Sequence, residues 1–139
     1  MSQLNSKQTE KIKLHCARAY EVYDSGDFSG ALRLFYQAWL LVPKPQTDYQ
    51  ESGWILTGIG DTYFQLGKYP QACEALNSAL HCPGTDNNPF ILMRIGQAHY
   101  DHQEKPLARK FLLKAYRQGG TEIFKKESKV YLEAIRDLI

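Results

Sequence analysis

The chain has 139 residues, 43% of them hydrophobic and 23% charged, with a net charge of +2, the make-up of an ordinary soluble domain. No apolar run approaches the roughly 20 residues that a membrane span needs. Met1–Lys7 lacks the apolar core of a secretory signal, which leaves the cytoplasm as the expected location.

Residues 1–11 read as an N-terminal extension. Over about 12–45, Ala19, Val22, Gly26, Asp27, Phe28, Ala31, Phe35, Ala38 and Pro43 set out a frame that recurs twice. Its fullest copy spans about 53–86, with Leu56, Ile59, Gly60 and Tyr63, then Gly67-Lys68-Tyr69, then Ala72, Leu76, Ala79 and Pro83. Gly60 and Ala72 let two antiparallel helices approach, while Leu56, Ile59, Tyr63, Tyr69 and Leu76 fill the seam between them. Gly67 supplies the positive φ that ends the first helix. Pro70 falls in the first turn of the second helix, where a missing N–H costs nothing.

The third copy, about 89–122, repeats the frame with Leu92, Ile95, Gly96 and His99, then Ala108, Leu112 and Ala115. Asn88 is a natural N-cap before Pro89, Pro106 stands where Pro70 stood, and Gln103 takes the turn place of Gly67. The spacings are 41 residues from Gly26 to Gly67 and 36 from Gly60 to Gly96, so residues are inserted near Pro43–Thr47 and at Asn87-Asn88. Thr47 or Asp48 is then expected to cap a helix running to Leu66. In residues 121–139, Val130, Tyr131, Leu132, Ile135 and Leu138 recur at helical spacing. They predict a last helix from about Ser128 that covers the open flank of the third pair.

This order of large residue, small glycine, aromatic, turn glycine, alanine, bulky apolar and alanine resembles the tetratricopeptide repeat over residues 12–120. The resemblance implies an all-α protein of antiparallel helix pairs stacked as a short right-handed solenoid, with three pairs and a C-terminal capping helix. It also implies that the first helix of each pair lines a concave surface. Carried over residue by residue, the groove positions are Lys13, Cys16, Tyr20, Tyr23 and Asp24 in the first copy and Trp54, Thr57, Asp61, Phe64 and Gln65 in the second. The third contributes Phe90, Met93, Gln97, Tyr100 and Asp101.

Tyr20, Tyr23, Trp54, Phe64, Phe90, Met93 and Tyr100 are large and apolar or aromatic, and a soluble monomer seldom exposes such a patch without using it. With Asp61 and Gln97 they form the expected partner-binding set. Phe64 and Tyr100, near helix ends, are the ones most open to loss into packing against a neighbouring repeat. Some members of the family grip a partner's C-terminal carboxylate with Lys, Asn and Arg. The corresponding residues here are Cys16, Tyr20, Thr57, Asp61, Met93 and Gln97. None is basic, so heat-shock chaperone tails are not the expected ligand.

Other chemistries find little support. Cys16, Cys73 and Cys82 make an odd count without a CxxC spacing, which fits reduced thiols. His15-Cys16 and His81-Cys82 lack a second ligand pair at i+3 or i+4, so no metal is expected. His99 and His102 flank Asp101, but His99 belongs to the seam, and no catalytic residue or cofactor is expected. From residue 105 onward nine Lys and Arg face four Asp and Glu. That basic third lies apart from the aromatics, which argues against nucleic acid as the ligand.

The reading is a non-enzymatic protein-binding module, a monomer or weak homodimer, whose partner is a protein. Phe111-Leu112-Leu113-Lys114-Ala115-Tyr116, the following Gly-Gly and Glu122-Ile123-Phe124, with Asn88-Pro89-Phe90, resemble small bacterial tetratricopeptide proteins found beside polymorphic toxin genes. That resemblance implies an immunity protein or adaptor for a toxin or effector. The alternative is a secretion-type chaperone that holds an extended segment of an exported protein.

Overall fold

Helix starts and stops follow from caps and left-handed turns. The computed structural model describes residues 3–139; Met1 and Ser2, at the head of the expected extension, lie outside the described residues. Helix α1 (Ser6–Asp24) begins inside that extension because Asn5 and Gln8 form a capping box. The Gln8 amide donates to Asn5 Oδ1 at 2.8 Å and the Asn5 amide to Gln8 Oε1 at 2.9 Å, so two otherwise orphaned donors are satisfied. Gly26, at φ +90°, ends the helix, and Asp27 caps α2 (Phe28–Trp39) by accepting from the Gly30 amide.

Ala31, Phe35 and Ala38 form the buried stripe of α2 at the i, i+4, i+7 spacing of a helix face. Gly58, on α3 (Gln50–Gln65), lies directly under the Phe35 ring, where an added Cβ would collide. Gly60 meets Leu76 and the Ala72 carbonyl on α4 (Tyr69–Ala79) in the same way. These contacts put α1 with α2, α2 with α3, and α3 with α4. Gly67, at φ +74°, makes the turn between α3 and α4, and Pro70 falls in the first turn of α4.

Two expectations for this region change. Thr47 and Asp48 do not cap α3; they lie in a 3-10 turn at Gln46–Asp48, and Tyr49 precedes the helix without a side-chain cap. The Ser52 hydroxyl instead donates to the Gln46 carbonyl, and Gln46 Nε2 to the Trp39 carbonyl at 2.9 Å, which fastens the inserted segment to both helices. Tyr63 and Tyr69 are half-buried and sit at the rim of the seam, which Leu56, Ile59 and Leu76 fill.

From Asn87 the chain forms a second compact unit. Asn88 caps α5 (Pro89–Asp101) by accepting from the Ile91 amide at 3.1 Å, with Pro89 at the first position. On α6 (Lys105–Gly119), Leu112 closes over Gly96, whose added Cβ would stand 2.7 Å from Leu112 Cγ. His99 stacks on Phe111 at 5.7 Å, inside the seam as expected, and bonds Glu104 at 3.0 Å.

The C-terminal segment is not one helix. It is a 3-10 turn (Glu122–Phe124), a short α7 (Lys129–Glu133) and a second 3-10 turn (Arg136–Leu138). Arg109 Nη1 donates to the Ala134 carbonyl at 3.0 Å, and the Leu138 amide turns back to Ile135, so Ala134 does not continue an α-helical ladder. Phe124, Tyr131 and Ile135 are nevertheless buried. Arg109 also grips Asp137 through two bonds of 2.9 Å, which raises the Arg109 pKa and lowers that of Asp137. The protein is all-α: the described residues contain no strand, and no helix among them is long and apolar enough to cross a membrane.

Candidate functional site

In the first unit the groove positions of α1 and α3 face each other in register. The Thr9 hydroxyl donates to buried Glu51 at 2.7 Å. Further along, Lys13 Nζ stands 5.9 Å from the Trp54 ring centre. The Tyr23 hydroxyl donates to Asp61 Oδ1 at 3.1 Å and accepts from Gln65 Nε2 at 2.9 Å. Residue numbers rise together on both sides of this line, so the two helices run parallel.

Tyr20 rises from this face with 36% of its surface exposed, held edge-on by Phe35 at 5.0 Å and Tyr23 at 5.8 Å. Trp54 is 37% exposed. Tyr23 is half-buried against Phe28, and Phe64 leans on Tyr69 at 5.9 Å. Asp61, only 4% exposed, is spent on the lacing beneath the face and does not project from it. Burial raises the Cys16 thiol to about 11, so it stays protonated near neutrality and is a poor nucleophile or metal ligand. Among the described residues no group of three or more His, Cys, Asp or Glu side chains is placed to hold a metal ion.

The second unit treats the equivalent positions differently. Gln97 is fully buried: it accepts from Arg94 Nη1 at 2.7 Å and donates to Glu127 at 2.8 Å, while Arg94 reaches the same carboxylate at 2.9 Å. Met93 is 1% exposed. Phe90 has the Arg94 guanidinium 4.9 Å over its ring, and Tyr100 has Lys105 Nζ at 4.2 Å and the Tyr131 ring edge-on at 5.5 Å. The Tyr131 hydroxyl completes the cover, 2.9 Å from both carboxylate oxygens of Asp101. Met93 and Gln97 thus offer no side-chain surface, and Tyr100 packs against the C-terminal segment.

Sequence reasoning names the positions but not their partners. Glu127 and Tyr131 carry no local signal of a role on α5, because their contacts span 30 to 33 residues.

This arrangement can be set beside known proteins. No family model matches the chain, and no curated protein matches it in sequence. Solved structures match throughout. The type III secretion chaperone SycD of Yersinia enterocolitica, in complex with a peptide of the translocator YopD, is 16% identical with a TM-score of 0.74, covering 96% of each chain. PcrH of Pseudomonas aeruginosa is 19% identical with a TM-score of 0.71, again over 96% of each chain. The first tetratricopeptide domain of Spaghetti (RPAP3), bound to the HSP90 peptide SRMEEVD, is 16% identical with a TM-score of 0.68, covering 93% of each. The fold is of the tetratricopeptide type.

Proposed function

We propose that this chain is a non-enzymatic, cytoplasmic protein-binding module that takes an extended segment of a partner protein along the α1/α3 face. One observation carries the reading. Tyr20 and Trp54 keep more than a third of their surface on adjacent parallel helices, while the polar groups beneath them are bonded to each other. Aromatics held rigid over a satisfied floor lose little freedom on binding and bury large area. Tyr23 and Phe64, half-buried, contribute at the margins, and Asp61 acts from below by holding the two helices in place.

Of the two roles, holding a segment of an exported protein is favoured over immunity to a toxin. Its support is the likeness to SycD and PcrH, one of them solved with a translocator peptide. A carboxylate clamp of the kind that would suit an HSP90 tail is not supported, since Cys16, Tyr20, Thr57, Asp61, Met93 and Gln97 supply no cation. An apolar segment of a translocator bound by the chain supports the chaperone role, whereas inactivation of a folded toxin domain supports immunity.

The decisive experiment is a binding titration with extended peptides selected by display against the whole protein. Trp54→Ala and Tyr20→Ala are each expected to weaken binding by at least about tenfold, equivalent to about 1.4 kcal/mol. Melting temperature should change little for Trp54→Ala, whereas Tyr20→Ala also loses its edge-on contact with Phe35 and lowers it somewhat. Charge reversal at Lys110 and Lys114, both exposed on α6, should leave affinity unchanged. Loss of binding on that reversal, with Trp54→Ala intact, overturns the reading.

A further inference from the structure

The first unit holds a second feature, on the side where α2, α3 and α4 meet. A cavity of about 280 Å³ opens there, with Tyr36 and Trp39 from α2, Tyr63 from α3 and Glu74 from α4 on its walls, over a floor of Leu56 and Ile59. The Tyr36 and Tyr63 rings stand at 72° with centres 6.5 Å apart, and their hydroxyls share a 3.0 Å hydrogen bond. That bond fixes two walls of a box at a corner, and Trp39 adds a third aromatic surface. Tyr36 is 41% exposed, so the box is open to solvent.

Glu74 is the one charged side chain on the cavity wall, and it makes no ion pair with any cation among the described residues. The Tyr36 pKa rises to about 12, first through burial, then through the Tyr63 hydrogen bond, with the Tyr63 and Glu74 charges adding to it. The Tyr36 phenol therefore remains neutral at physiological pH, and Glu74 is the one acidic side chain at the wall. Three aromatic rings attract a cation through their quadrupoles, and a carboxylate at the rim adds a direct charge contact. An alkyl chain fits the Leu56 and Ile59 floor.

We infer that this cavity is a binding site for an alkylammonium group, and that its occupant is a lysine side chain of a partner protein. The inference does not rest on the α1/α3 face: the two sites share α3 but none of the residues named for them, so one can fail while the other stands. An aromatic box with one carboxylate discriminates by charge, because a neutral chain of the same length gains the floor contacts and loses both the ring and the carboxylate attraction.

The test is a titration of the 15N-labelled whole protein followed by NMR. The probes are n-butylammonium, its neutral analogue n-butanol, and the capped tripeptide Ac-Ala-Lys-Ala-amide. Butylammonium should saturably shift the Trp39 indole N–H and the Ala75 and Ser78 amides while the Trp54 indole stays still. Butanol should bind at least about fivefold more weakly, the order of one lost charge contact. Glu74→Gln, an exposed substitution that leaves the core alone, should cost butylammonium a similar factor, and the tripeptide should bind at least as tightly as the free amine. Equal binding of butanol, unchanged affinity in Glu74→Gln, or shifts without saturation overturns the site. Binding of the free amine without the tripeptide overturns the lysine assignment.

Discussion

The α1/α3 face of the first unit and the α5 face of the second are built from equivalent positions of the same repeat frame, yet one is open and the other covered. On the first, polar lacing between Tyr23, Asp61 and Gln65 lies low and leaves Tyr20 and Trp54 standing above it. On the second, Glu127 and Tyr131 bond directly to Arg94, Gln97 and Asp101, and cations lie over Phe90 and Tyr100. A groove position is thus a place on a helix, and its use depends on what the rest of the chain puts against it. The same frame can present a binding surface or consume it as packing.

The largest expected effect breaks the base of the first face. Gly60→Leu places a side chain where Leu76 and the Ala72 carbonyl already stand, and overpacking at a helix crossing costs about 1–3 kcal/mol or more. Circular dichroism melting should show a collapsed or unfolded protein; a variant that melts like the wild type would mean that α3 and α4 do not cross at Gly60. A smaller change removes the cover alone. Deleting residues from Ser128 onward takes away Tyr131 and Ile135, leaves Asp101 and Tyr100 uncovered, and should lower the melting temperature and raise binding of a hydrophobic dye. A truncated protein of undiminished stability would show that the cover is loosely held and that the two faces differ less than their contacts suggest.

The smallest effect compares the turns beneath the two faces. Gly67 and Gln103 make the same α-to-α turn at φ +74° and +66°. A non-glycine residue is strained there by about 1–2 kcal/mol, partly offset in a Gln103→Gly variant by the extra freedom of an unfolded glycine. The expected outcome is a rise of a few degrees in melting temperature; Gly67→Ala should lower it. No change in either variant would show that the strain is relieved elsewhere.

The helix pairs were legible in the sequence because they rest on local rules. Gly60 and Gly96 mark close approach, Gly67 and Gln103 mark the turns, Pro70 and Pro106 mark first turns, and Asn88 announces its own cap. The Asn5–Gln8 box was equally readable, as a capping residue followed three positions later by Gln, yet the segment reads as an extension when only the repeat frame is followed. What could not be read was the fate of polar groups with distant partners. Asp61 finds Tyr23 across 38 residues and Gln97 finds Glu127 across 30, and no periodicity records such pairs. The broken C-terminal helix has a similar cause, since the guanidinium that takes the Ala134 carbonyl lies 25 residues earlier. At the outer cavity, Tyr36 and Trp39 look like ordinary residues of α2, and only the fold brings Tyr63 and Glu74 to them.

Pairing between chain neighbours has a consequence for how the molecule assembles. The main helix contacts join α1 to α2, α3 to α4 and α5 to α6, so each hairpin closes over a short loop, and topologies of this kind fold within about microseconds to milliseconds. Emerging from a ribosome, the first unit has its own helix hairpins complete before α5 is made. The second is completed in two stages. Its hairpin forms first, with Arg94 and Gln97 still hydrated, and only residues synthesised later bring Glu127 and Tyr131 to dehydrate them. A chain stalled or clipped before residue 127 would therefore carry a finished first unit beside a wet, half-closed second one, which a protease would find first.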